Sequence, residues 1–256
     1  PAGIETIDAG GRYVTPGIVA GFTRMGIVEG DGVDRTNDAG ASGSPFHAAI
    51  DIAPAVNPHT SSIPLNRAEG VTRAIVAPEN RGSIFAGLGA VIDLGADTNP
   101  ISTPHAFQFM EYGEGGAGAA GGSRPAALAM FKNALVQARA YASNPKGYAD
   151  QGKDALLTRA DAEALGAVVT GKMPLLIHVE RASDMLALID IKKAMPQLRM
   201  VFVGVSEGWT IASELAAAKI PVIASALNDL PESFESLAAT QSNVGRMKAA
   251  GVTVAI

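Results

Sequence analysis

Several acidic, imidazole and guanidinium side chains stand where short apolar runs end. His178 lies at the end of the run 175–179, and Glu180 follows two residues later. Side chains alternate along an extended chain, so the two point to the same side. Glu111 lies in the run 106–112, one residue before its end, and Glu207 follows the run 200–204. A histidine beside carboxylates can serve as a metal ligand or a general base, with Glu180 or Glu111 as catalytic acid–base groups. The same residues also suit a structural histidine held in place by a neighbouring carboxylate. Glu207 has a second reading, as a carboxylate serving the first turn of a helix that begins near Trp209. Arg24, Arg73 and Arg181 offer planar charged forks for a carboxylate or phosphate. Their alternative is an internal ion pair with Glu111 or Glu180.

Other chemistries lack their residues. The chain has no Cys, which removes disulfides, thiolate metal sites and Cys nucleophiles. His47, His59 and His105 have no partners at ligand spacing, and solvated positions are expected for the first two. The glycine-rich stretch 82–89 matches neither a P-loop nor a dinucleotide fingerprint, and no G-x-S-x-G elbow occurs. Ser123 precedes a helical pattern and reads as its cap. A formal net charge of −5 argues against a nucleic-acid partner, which requires a clustered basic face. No apolar run has the length of a bilayer span. The compartment, cytoplasm or periplasm, stays open, as does homo-oligomerisation.

The elements that must position these groups follow from the pattern of apolar runs. Eight strands are expected, at residues 14–22, 71–77, 90–94, 106–112, 175–179, 200–204, 221–224 and 252–256. Most are continuously apolar, as in parallel strands buried on both faces. Helical periods occupy 124–141, 161–169, 183–194, 210–218 and 233–250, so the second half alternates strand and helix in βα units. Residues 23–70 are rich in Gly, Asp, Asn, Ser and Pro, with no sustained period. A loop of that length usually serves a site or a partner. The first residues alternate apolar with polar around Gly10-Gly11 and read as a hairpin arm.

Residues 7–17, Ile-Asp-Ala-Gly-Gly-Arg-Tyr-Val-Thr-Pro-Gly, resemble the segment that leads into the barrel of the amidohydrolase superfamily, imidazolonepropionase-like members in particular. The resemblance continues in order through 70–73, 87–90, 173–178, 181–184, 218–222 and 249–255. It implies an α/β fold, a (β/α)8 TIM-type barrel at 15–256 that ends within its eighth strand, with residues 1–14 part of an accessory β-sandwich. It also implies a metal-dependent hydrolase of C–N bonds in cyclic amides, amidines or peptide-like substrates. Zn or another divalent ion would activate water at the C-terminal mouth. Of the family's ligands, the strand-five histidine corresponds to His178. The first-strand His-x-His pair corresponds to Phe22 and Arg24, the strand-six histidine to Gly204, and the strand-eight Asp falls just past Ile256. A mononuclear site needs about three protein ligands, so this one is degenerate. Without a metal, Glu180 or Glu111 would act as base, and Arg24 would stabilise the oxyanion, with Arg181 and Glu207 as further substrate contacts. The alternative is a non-catalytic barrel binding a small anionic or peptide-like ligand, or a partner protein through residues 23–70.

Overall fold

A computed structural model describes residues 3, 5–30, 32–150, 155–227 and 230–256. Eight strands form one sheet in chain order: β1 (Ile18–Thr23), β2 (Val71–Val76), β3 (Phe85–Asp93), β4 (Ile101–Glu111), β5 (Leu175–Val179), β6 (Met200–Gly204), β7 (Val222–Ala224) and β8 (Val254–Ala255). Gly21 of β1 comes back against the last strands: a Cβ there would lie 3.2 Å from Ile223 Cγ2 and 3.4 Å from the Ile256 carbonyl oxygen. The sheet is therefore a nearly closed barrel. Helices α1 (Ser62–Ala68), α2 (Glu114–Ala119), α3 (Arg124–Ser143), α4 (Arg159–Val169), α5 (Ala182–Ala194), α6 (Ala212–Ala217) and α7 (Asn243–Ala249) surround it, giving a (β/α)8 TIM-barrel fold.

One strand departs from the parallel expectation. β3 is antiparallel to both β2 and β4. Its connections, 77–84 and 94–100, are too short for a parallel crossover, which takes roughly a dozen residues. β3 is nonetheless covered on one face, where Ala90 and Ile92 are buried with Ile27, Ile52 and Ile63, and its first half is paired along its edge, where Leu88 N–H donates to the Ile50 carbonyl and Ile52 N–H donates to the Leu88 carbonyl. The buried Ile27, Ile52 and Ile63 cover this strand as helices cover others in the barrel.

Residues 23–70 are accordingly packed. Ile27, Ile52 and Ile63 are buried with Ala74, Val76 and Ile92 in a cluster of their own. The helix α1 within this segment was hidden in the sequence by Pro64, which occupies its first turn, where a missing N–H costs nothing. A second apolar layer fills the barrel: Phe107, Phe109, Leu176 and Val203, with Phe22, Ile75 and Ile223 against them. The third and largest lies between strands and helices, where Phe131, Leu165, Met185, Leu188 and Phe202 meet.

The expected helix at 233–250 forms only over Asn243–Ala249. Upstream, the backbone is committed elsewhere. Glu232 and Ser233 N–H groups donate to Ser236 Oγ, Ala238 N–H donates to Glu207, and the Ala238 carbonyl accepts from Trp209 Nε1 at 2.7 Å. The pattern at 210–218 resolves into a 3-10 turn, Gly208–Ile211, followed by α6. Among the described residues of 5–17 there is a turn at Gly10-Gly11, closed by Arg12 N–H on the Ala9 carbonyl, and no strand.

Candidate functional site at the barrel mouth

β4 and β5 are parallel neighbours in a register that sets Glu111 beside His178. The interior faces of both strands end on these residues, above Phe109 and Leu176. His178 Nδ1 lies 2.7 Å from Glu111 Oε1, and its Nε2 lies 2.9 Å from Glu180 Oε1. The second oxygen of Glu180 accepts the Ser206 N–H at 2.8 Å. An imidazole flanked on both edges by carboxylates is a cation with both nitrogens donating. Burial pulls the His178 pKa down, but the hydrogen bonds to Glu111 and Glu180 and the charges of those carboxylates outweigh it and raise it to about 10. Burial acts on Glu180 in the opposite direction, and there the hydrogen bonds from His178 and Ser206 win, leaving its carboxyl below the ordinary range.

Gly204 makes this arrangement possible. It ends β6 at φ +90°, and a Cβ at this position would sit 2.2 Å from Glu180 Oε1 and 3.0 Å from His178 Nε2. The space that a strand-six side chain would use holds the Glu180–His178 contact.

Arg24 leaves β1 and stacks on an aromatic shelf. Its guanidinium carbon lies 4.9 Å from the Phe22 ring centroid and 5.9 Å from that of Phe109, and the two rings pack at 5.2 Å. The expected alternative, an ion pair with Glu111 or Glu180, is corrected: among the described residues Arg24 makes no ion pair within 4 Å, and the two carboxylates turn to His178 instead. Burial lowers the Arg24 pKa despite the more distant charges of Glu79 and Glu111.

The remaining candidates are dispersed. Glu207 serves a helix N-terminus, though a different one from that expected: its Oε2 accepts from Ala182 N–H at the start of α5, and its Oε1 accepts from Ala238 N–H. Arg181, the residue before α5, is exposed and makes no ion pair among the described residues. Arg73 is exposed in the first half of β2, opposite Asp93 and away from the mouth. His105 pairs with Asp51 at 2.8 Å.

Sequence reasoning passed over a second ionic cluster beside α2, α3 and α5. Arg124 donates through Nε to Asp184 at 2.8 Å and through an η nitrogen to Glu235 at 3.0 Å. Glu235 also accepts the Glu114 N–H at 2.7 Å. These partners lie far apart in the chain, and no local pattern announces them. The cluster fastens the segment after β7 to the helices around the mouth.

The residues present do not fit a metal of the kind the fold resemblance implies. Phe22, Arg24 and Gly204 offer no ligand atoms. A coordinating histidine needs a free ring nitrogen, whereas both nitrogens of His178 are taken. Glu111 and Glu180 lie on opposite edges of the ring, so they cannot converge with it on one ion. Among the described residues no group of three His, Cys, Asp or Glu side chains could hold one. No helix among them is long and apolar enough to cross a membrane.

Two cavities share Phe22 in their lining, and the first also touches His178 of the Glu111–His178–Glu180 triad. One, of about 430 Å³, is lined by Phe22, His178, Val203, Ile223 and Leu227. The other, of about 650 Å³, lies on the far side of Phe22, beside Arg24. No protein-family model matches the sequence, and no curated protein does. Among solved structures, the crystal structure of an amidohydrolase from Thermotoga maritima MSB8 is similar over 99% of this chain and 70% of that one, at 21% identity and a TM-score of 0.82. What the chain shares with that amidohydrolase is its fold.

Proposed function

We propose that the protein is a metal-independent barrel that binds a small ligand at its mouth. One observation carries this reading: both ring nitrogens of His178 are engaged by carboxylates. Hydrolysis of a C–N bond, as the family resemblance implies, would need an activated water. A metal-bound hydroxide requires about three protein ligands and an open position. A carboxylate base works best with a pKa near the working pH, and Glu180 is held the other way. The imidazolium supplies within the fold a positive charge between carboxylates that would otherwise repel each other. Space for a ligand lies in the cavity beside His178 and in the one beside Arg24.

The test is metal loading with a turnover screen. Protein dialysed against excess Zn²⁺ and then against buffer is expected to retain far less than one ion per chain. It is also expected to leave hydantoins, imidazolones and N-acyl dipeptides intact. One retained Zn²⁺ per chain that disappears in His178→Ala, together with hydrolysis of any of these substrates, would overturn the reading.

A further inference from the structure

We infer that the cavity beside Arg24 binds a small carboxylate with an apolar body, its carboxylate gripped by the Arg24 guanidinium. The inference deepens the proposal of a ligand-binding mouth by naming the ligand class. Arg24 carries five N–H donors, yet its one hydrogen bond among the described residues goes to the neighbouring Thr23 carbonyl, at 3.4 Å. A half-buried guanidinium without a carboxylate partner is costly, and an anion of matching geometry relieves that cost.

No carboxylate among the described residues lies within ion-pair distance of Arg24. Phe22 and Phe109 support the guanidinium through their ring faces, and Arg24 lines the cavity together with Phe22. Two carboxylates also line this cavity, and each has a partner of its own. Glu79 pairs with Arg81 at 3.2 Å, and Glu29 accepts from Asn57. Met25 and Val28 add apolar wall beside Arg24, suited to a ligand with a hydrocarbon or ring body. The volume of about 650 Å³ leaves room for such a molecule.

The probe is benzoate, titrated calorimetrically into the full chain, with neutral benzamide as its uncharged counterpart. Wild type is expected to bind benzoate and to bind benzamide at least about tenfold more weakly. Arg24→Gln should lose benzoate binding by about tenfold or more, with Arg24→Lys in between. A thermal melt without ligand keeps the test independent of folding failure. Arg24→Gln should melt at the same temperature as wild type or higher, because it removes an underpaired charge, whereas a purely structural arginine would lower it. Equal affinity for benzoate and benzamide, undiminished binding in Arg24→Gln, or no benzoate binding by wild type would overturn the inference. Zn²⁺ retention at His178 together with hydrolysis, with Arg24-dependent benzoate binding intact, would instead overturn only the metal-independent reading.

Discussion

Replacing His178 by alanine should destabilise the fold by about 3–5 kcal/mol near neutral pH, the usual cost of removing one partner from a buried ionic group. Glu111 and Glu180 have side chains only 14% and 16% exposed, and without the ring they would face each other's charge alone. The loss should depend on pH in a defined way. The His178 pKa is raised from 6.5 to about 10 on folding, so its contribution is fully present below pH 6.5 and is lost as the pH rises through 10. The Glu180 pKa is lowered from 4.5, so its contribution is present above that value and fades as the pH falls below it. The gap between wild type and His178→Ala should therefore be widest between about pH 4.5 and 6.5 and close towards pH 10. Urea denaturation across that range measures it. A gap under about 1 kcal/mol that stays flat with pH would show the triad to be energetically idle.

Gly204→Ala should cost about 3 kcal/mol or more, and Gly204→His, which places a histidine at the strand-six position, should cost at least as much. Two penalties combine. A φ of +90° strains any residue with a Cβ, and that Cβ would lie 2.2 Å from a carboxylate oxygen already committed to His178 and Ser206. A double-mutant cycle separates them. In a Glu180→Ala background the added cost of Gly204→Ala should fall to about 1–2 kcal/mol, the backbone part together with the remaining 3.0 Å approach to His178 Nε2. Strict additivity of the two substitutions would mean that Gly204 and Glu180 do not compete for the same space.

Much of this barrel can be read from the chain, and the parts that cannot share a physical cause. Strands such as Leu175–Val179 and Met200–Gly204 are bounded as their apolar runs are, because helices cover their outer faces and the barrel interior their inner ones. An apolar run reports burial, however, and burial says nothing about direction. β3 is as apolar as the parallel strands of the barrel because Ile27, Ile52 and Ile63 pack on it, and its antiparallel course is set by the short connections at either end. Likewise the helical pattern at 233–242 is overruled by long-range bonds from Glu207 and Trp209 that no local window contains.

The site follows the same division. That His178 and Glu180 share a side follows from the two-residue alternation of a strand. That Glu111 completes the set depends on the β4–β5 register, and that Arg24 is left without a carboxylate depends on His178 having taken both. Competition among charged groups for the same partners is decided in three dimensions, which is why Glu207 and Arg181 could be proposed from sequence but are found at the N-terminus of α5 and not in the triad.

The most direct test of a His178 that stays charged above neutral pH is its side-chain ¹⁵N spectrum at about pH 8, between the ordinary histidine value and the raised one. Two protonated ring nitrogens are expected, unchanged when Zn²⁺ is added. A neutral ring with one bare nitrogen, or a ¹⁵N shift that moves as the ion binds, would contradict the account.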